Sequence, residues 1–474
     1  MRSNLNELFA SFPDDERTEE ILDSEEAQEQ LRAIFADLAY RPVPVHSLQR
    51  MWTISELSAQ VALAYAGLWI RRLFADEQEK QRKSAETNMR VALKMIHRLG
   101  YLCGAAAKLG QALGSLPELL PEEVVSTLDR LHSQAPPMHF SLVREVVRGD
   151  LGKDPMELFA RFDKEPFAAA SIGQVHRATL KSGREVAVKI QYPGIGRAMQ
   201  ADLRNLMALV FPMRLTRNGE SIRAQCEAMR EMLEQESDYI REARNTQEAH
   251  ALFTPADGIV VPEVFAEYSS SRVLTTEYIP GPHLREYLAT SPSQEQRDAF
   301  GTKLSLVWFR MNNANMSYSD PHSGNYVFMH DGRLGVLDFG CIQRLTPQEL
   351  RTIEYGEAYL DKRMTFEEDL IACGYSKTDL ANESYIGPLR RHFEWLTAPA
   401  FHEGPFDFGD TGFFKSGIES MKEMVAKQYP APAMYLYIYR TFFGLRVLSW
   451  RLKCRVDVKA LRHQERERNR ENHI

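Results

Sequence analysis

Asp320-Pro321-His322-Ser323-Gly324-Asn325, followed thirteen residues after its asparagine by Asp338-Phe339-Gly340, is the stretch on which the fold of this chain turns. Phosphoryl transfer from Mg²⁺-ATP needs a carboxylate to take or orient the acceptor's proton, an amide oxygen on one metal ion, and a second carboxylate between metal and phosphates. Asp320, Asn325 and Asp338 offer those groups in that order. Between them, Tyr326-Val327-Phe328-Met329 and Leu334-Gly335-Val336-Leu337 are strand-like and flank a His330-Asp331-Gly332 turn. The pattern predicts a short hairpin that returns Asn325 and Asp338 to the same end. Asp-Phe-Gly alone is a weak signal, whereas the fixed spacing across a hairpin is a strong one. The bland alternative makes Asp and Asn local caps in a loop.

The D-x-x-x-x-N loop, hairpin and D-F-G follow the catalytic-loop and metal-loop arrangement of protein kinases. Such a site requires an upstream lysine, and Val186-Ala187-Val188-Lys189 puts Lys189 in an otherwise apolar strand. A lysine there needs a carboxylate partner. Glu231, Glu234, Asp238 and Glu242 would share one face of a helix, and Glu236 would point elsewhere. The competing reading of that row is a solvated acidic face. Over the phosphates, the chain has Ala168-Ala169-Ala170-Ser171-Ile172-Gly173-Gln174-Val175 where a glycine-rich loop is usual. Alanine restricts φ > 0 and close backbone approach, so this loop is expected to be stiffer. The hinge is expected at Thr276-Glu277-Tyr278-Ile279-Pro280-Gly281, with backbone near Glu277 and Ile279 taking the adenine edge. His322 is assigned a structural hydrogen bond, because Asp320 already fills the base position.

The chain has 474 residues, 44% of them hydrophobic and 26% charged, which suits a globular protein with several structural units. A net charge of −7 argues against a nucleic-acid-binding surface. Five cysteines without a C-x-x-C pair indicate neither a zinc site nor a disulfide framework. The first thirty residues are acid-rich and lack an apolar core, so no signal or transit peptide is expected. The longest apolar run, residues 61–70, is about half of what a membrane span needs. A cytoplasmic protein without a transmembrane helix is expected, with peripheral membrane contact through Tyr435-Leu436-Tyr437-Ile438-Tyr439-Arg440-Thr441-Phe442-Phe443 as the sharper alternative to core packing. The pattern of elements divides the chain into a helical accessory region (1–84), a helical extension (85–155), a strand-rich lobe (156–276), a helical lobe (277–458) and a charged, frayed or helical tail (459–474). Within the strand-rich lobe, a long helical region interrupted near 211–219 is expected over 195–252, and strands at 260–266 and 272–277.

Lys108-Leu109-Gly110-Gln111, followed by Leu116-Pro117-Glu118-Leu119-Leu120-Pro121-Glu122-Glu123, resembles the K-x-G-Q motif and trailing helix of the UbiB family of atypical kinase-like proteins, which includes AarF and the ADCK proteins. The Ala-rich loop, Glu236-Ser237-Asp238 (similar to the family's E-x-D), the Asp-Pro-His-x-Gly-Asn loop and D-F-G complete five ordered motifs. The resemblance covers roughly residues 90–350 and extends more weakly to 455. It implies an α+β, protein-kinase-like two-lobed fold, with an N-terminal helical extension folded over the active site. It also implies that Lys108 and Gln111, held by Glu236 and Asp238, fill the cleft where a protein kinase takes its peptide. ATP and Mg²⁺ are the implied cofactors: Lys189 on phosphate, Asn325 and Asp338 on metal, and Asp320 orienting acceptor or water. Two departures stand out: Tyr318 replaces the family's His two residues before the catalytic Asp, and Ser323 a common Pro. The tyrosine ring and hydroxyl are expected to replace a packing strut.

The function implied is an ATPase that binds ATP or ADP and is linked to isoprenoid-quinone or other lipid metabolism. A membrane lipid or quinone precursor is its expected partner. A phosphotransferase acting on a small molecule or protein, and a nucleotide-binding scaffold with little turnover, are the alternatives. The sequence sets no oligomeric state.

Overall fold

The computed structural model describes residues 138–170, 172–196, 230–231, 234–318, 321–373, 375–427 and 433–472. Lys108, Gln111, Ser171 and Asp320 lie outside the described residues, as does most of the expected 195–252 helix. The chain divides into two compact units: Met1–Leu142 with Glu165–Gln174 and Gln191–Pro212, and Val143–Lys164 with Val175–Ile190 and Met213–Ile474. In the first unit the buried Gln174 amide accepts from Met138 N at 2.7 Å, and Ile172 O accepts from Tyr192 N at 3.0 Å.

Helix α1 (Phe140–Leu151) buries Val143, Val146 and Val147, one face at helical spacing. Strands β1 (Arg161–Phe162), β2 (Ala168–Ala170), β3 (Gly173–Thr179) and β4 (Glu185–Gln191) follow. A turn at Lys181-Ser182-Gly183-Arg184 joins β3 to β4, with Gly183 at φ +87° where a side chain would be strained. Alternation along β4 buries Val186, Val188 and Ile190 on one face, so Ala187 and Lys189 lie on the other. Helix α2 (Tyr239–Leu252), β5 (Ile259–Val260) and β6 (Val273–Glu277) come next. Strand β6 pairs antiparallel with β4, Lys189 opposite Leu274, and closes a five-stranded sheet of order β1-β3-β4-β6 with β2 on β3.

Two expectations for this region need correction. Helix α2 starts at Tyr239 with Asp238 as its N-cap, Asp238 accepting from Arg241 N at 3.0 Å. The acidic row from Glu231 to Glu242 is thus interrupted and does not share one continuous helical face. The expected 260–266 strand shrinks to β5 and a single bridge from Val264 to Thr276. Strand β5 joins another sheet, pairing parallel with Leu334 and Gly335.

Helix α3 (Gln294–Asn313) opens with a Ser293/Gln296 capping box. Then come β7 (Ser317–Tyr318), β8 (Tyr326–Phe328), β9 (Leu334–Val336) and β10 (Ile342–Gln343), followed by α4 (Pro347–Leu360), α5 (Glu383–Phe401), β11 (Phe406–Asp407), α6 (Thr411–Lys427), α7 (Ala433–Leu452), β12 (Arg455–Val456) and α8 (Val458–Asn472). Strands first and helices after give an α+β, kinase-like order. The main core gathers Phe300, Leu304, Val307 and Met311 of α3, Tyr326 and Phe328 of β8, Leu334 and Val336 of β9, and Leu448 and Leu452 of α7. Each such side chain contributes about 1.5–3 kcal/mol by leaving water, so the β8–β9 hairpin is rooted in the most strongly held part of the fold.

Of the two readings of the 459–474 tail, the described residues take the helical one, α8. Helix α8 is docked by ion pairs: Arg310 of α3, 7% exposed, grips Glu465 through two nitrogens at 2.7 and 3.0 Å. Arg462 reaches Glu357 and Asp361 at 2.6 and 2.8 Å. Alternating charge there serves packing against α3 and α4. Among the described residues no helix is long and apolar enough to cross a membrane.

Candidate functional site

Lys189 Nζ donates to both Glu242 oxygens, at 2.8 and 3.0 Å, and to Asp338 Oδ2 at 3.0 Å. Glu242 is the member of the acidic row that reaches the lysine, because the Asp238 cap sets α2 so that its first turn faces β4. The Tyr239 ring, fully buried, lies 5.0 Å from Nζ and adds a cation–π contact. Burial works against the charge on Lys189, but Asp338 and Glu242 outweigh it and hold the ammonium well above the usual lysine range. Burial raises the Glu242 carboxyl, Lys189 opposes the rise, and Asp338 adds to it.

The hairpin brings the metal-binding candidates together as expected. Tyr326 stands opposite Val336, and Leu337 N donates to Asn325 O at 2.9 Å, so Asn325 and Asp338 leave adjacent strands at the same end. Asp338 divides its two oxygens: Oδ2 faces Lys189 and Oδ1 accepts from Gly340 N at 2.9 Å. A side chain at residue 340 would sit 3.3 Å from Asp338 Oδ1 and 3.5 Å from Glu242 Oε2, which explains the glycine. Phe339 is fully buried, and its carbonyl accepts from Asn245 Nδ2 at 3.0 Å. Asn245 carries no motif of its own, yet it lies one helical step from Glu242, a spacing that could have flagged it. His322 Nδ1 accepts from Gly324 N at 3.1 Å, the structural bond expected of it. The Tyr318 ring packs 5.9 Å from the Phe339 ring, and β7 pairs with β10, Tyr318 opposite Ile342. The tyrosine thus acts as a packing strut beneath D-F-G.

This donor set fits a metal–nucleotide complex: a held ammonium for phosphate oxygens beside a partly exposed carboxylate and a neighbouring asparagine for metal. Among the described residues no cluster of three or more His, Cys, Asp or Glu side chains could hold a metal ion by itself.

Comparison with known proteins agrees with this geometry. The family model of the ABC1 atypical kinase-like domain matches residues 130–355. The mouse AarF domain-containing protein kinase 1 is 33% identical over 285 residues, covering 58% of this chain and 53% of its own length. The Schizosaccharomyces pombe protein named atypical kinase COQ8, mitochondrial, is 28% identical over 447 residues, 90% of this chain and 70% of the relative. Over these residues the chain is similar to ABC1 atypical kinase-like proteins, the AarF and COQ8 kinases among them. A solved structure, Rv3197 of Mycobacterium tuberculosis in complex with erythromycin, is similar at a TM-score of 0.54 and 28% identity over 81% of this chain and 97% of that one. The chain spans 53% to 59% of the length of the mouse relative and of relatives from Synechocystis and Dictyostelium discoideum.

Within this chain Glu236 and Asp238 do different things. Asp238 caps α2, whereas Glu236, 5% exposed, accepts from Cys341 Sγ at 2.9 Å. Cys341 directly follows D-F-G, so Glu236 is tied to the metal loop, a link that no sequence pattern announced. At the hinge, Glu277 N donates to Glu263 O at 2.8 Å and Tyr278 N to Glu185 O at 3.2 Å. The Ile279 side chain packs on Val327 and Met329. Of the Ala-rich loop, Ala168–Ala170 form β2, and Gly173, Gln174 and Val175 open β3.

Proposed function

We propose that this chain binds Mg²⁺-ATP between Lys189 and the Asn325/Asp338 end of the hairpin and hydrolyses it, in the service of isoprenoid-quinone or other lipid metabolism. The observation that carries this is the placement of one ammonium against both Glu242 and Asp338. Lys189 holds the α/β-phosphates, and Glu242 keeps the lysine charged and aimed. Asp338 and Asn325 hold Mg²⁺, which when bound neutralises phosphate charge. Asp320 orients water or an acceptor. Adenine is taken through the Glu277 carbonyl and the Ile279 backbone, since the Glu277 amide is engaged by Glu263. By the resemblance of their K-x-G-Q motif, Lys108 and Gln111 serve to exclude bulky protein substrates. The lipid link is supported by the COQ8 name of the Schizosaccharomyces pombe relative. Contact with a membrane surface is part of the same reading.

The test is phosphate release from Mg²⁺-ATP by the full chain, with and without liposomes carrying a quinone-like lipid, beside Asp338→Asn. Turnover that rises with lipid and is lost in the variant is the expected result. Nucleotide binding without phosphate release would instead favour a scaffold, a reading that the alanines of β2 support. Release only when an acceptor is added would favour a phosphotransferase.

A further inference from the structure

The residues flanking Asp320 in sequence rest on a single helix that lies more than a hundred residues downstream. Thr441 of α7, 2% exposed, donates its hydroxyl to the carbonyl oxygen of Tyr318 at 2.9 Å. Three residues on, Gly444 faces Pro321: a methyl group added at Gly444 would overlap the proline Cγ and lie 3.4 Å from its Cβ and Cδ. Positions three apart share a helix face, so one turn of α7 meets the backbone two residues before Asp320 and the rigid ring one residue after it. The same face continues to Leu448, which packs in the core that holds Tyr318 and Phe339.

Helix α7 is itself fixed from another side. The buried Arg446 donates to Leu396 O of α5 at 2.6 Å, and its guanidinium sits 5.1 and 5.4 Å from the Phe408 and Trp395 rings. No ion pair to Arg446 exists among the described residues. The arginine is held by a carbonyl and aromatic faces, and α7 thus has little freedom to slide or rotate.

We propose that Thr441 and Gly444 are positioning residues for the catalytic loop, Thr441 fixing the strand that enters it and Gly444 giving Pro321 a seat where the chain continues past residue 320. This rests on the reading of Asp320 as the group that orients acceptor or water. Glycine in a helix interior ordinarily costs stability relative to alanine. At residue 444 the sign reverses, since a methyl group meets a proline ring that cannot bend aside.

The experiment compares Thr441→Val, Thr441→Ser and Gly444→Ala with wild type in the full chain. It reads Mg²⁺-ATP turnover, nucleotide Kd, and amide hydrogen exchange at His322 to Tyr326. Misplacing a reacting group by a fraction of an ångström is expected to lower turnover about 10- to 100-fold in Thr441→Val and Gly444→Ala, with Kd close to wild type. Exchange in the loop should quicken while α8 stays protected, and Thr441→Ser should restore both readouts. Unchanged exchange in the loop of both Thr441→Val and Gly444→Ala would overturn the proposal. So would failure of Thr441→Ser to restore protection, or equal loss of protection in loop and α8. If wild type itself shows no turnover, the enzymatic reading fails, and the exchange comparison still decides the positioning claim.

Discussion

Lys189 stands between two carboxylates of unequal exposure, Glu242 with 3% of its side chain accessible and Asp338 with 29%, and that inequality sets what each substitution does. Lys189→Met leaves Glu242 as a buried, uncompensated charge, so the variant should lose about 3 kcal/mol of stability. Adding Glu242→Gln should recover part of the loss, a non-additivity that urea unfolding of the two single variants and the double variant will measure. Without its partner the Glu242 pKa lies above the unfolded value, so its stabilising effect is present at low pH and lost as pH rises through the folded pKa. The Lys189→Met deficit should accordingly be larger at pH 9 than at pH 6. A deficit that grows toward acid would contradict the assignment of Glu242. Lys189 was legible because a lysine in an apolar strand has to be answered by a carboxylate. Which carboxylate answers it was not legible, since that depends on the start of α2, and only the Asp238 cap fixes the start.

Among elements, α8 shows what charge patterning leaves open. Alternating signs over 459–472 allow a frayed or a helical tail, and the helix is held because Arg310, Glu465 and Arg462 are buried with partners from α3, α4 and the short helical turn at Asp257. No local pattern carries that information. Arg310→Met should therefore cost about 3–5 kcal/mol by stranding Glu465, whereas Arg310→Met combined with Glu465→Leu should cost less; thermal unfolding distinguishes the two. On α5, burial pushes His392, 1% exposed, from 6.5 down to about 4. The folded state thus keeps it neutral while the unfolded chain protonates below pH 6.5. Its contribution is intact above pH 6.5 and falls as pH drops toward 4, by about 3 kcal/mol in all at 1.36 kcal/mol per pKa unit. His392→Gln should flatten the stability profile across that window, and an unchanged slope between pH 6.5 and 4 would exclude His392 as its source. The β8–β9 hairpin was legible as a whole, because turn residues, alternation and the two flanking motifs all agree.

For the molecule as a whole, order and spacing of motifs were enough to name the fold, because the kinase-like arrangement draws its site from elements separated by long stretches of chain. Lys189, Asn325 and Asp338 had to be assigned from widely separated segments, and the structure brings Lys189 and Asp338 to 3.0 Å. The braces behind them escaped notice: Asn245 on Phe339, Cys341 on Glu236 and Thr441 on Tyr318 bond to backbone or across the fold, where residue type leaves no pattern. The central claim is that Asp338, poised beside Lys189, receives the metal that accompanies nucleotide. Calorimetric titration of the full chain with ATP, in the presence and absence of Mg²⁺, tests it most directly when repeated on Asp338→Asn. Wild type should bind at least tenfold more tightly with Mg²⁺, as expected when metal and carboxylate neutralise phosphate charge together, and the variant should lose that gain. Equal Mg²⁺ dependence in the two proteins would contradict the account.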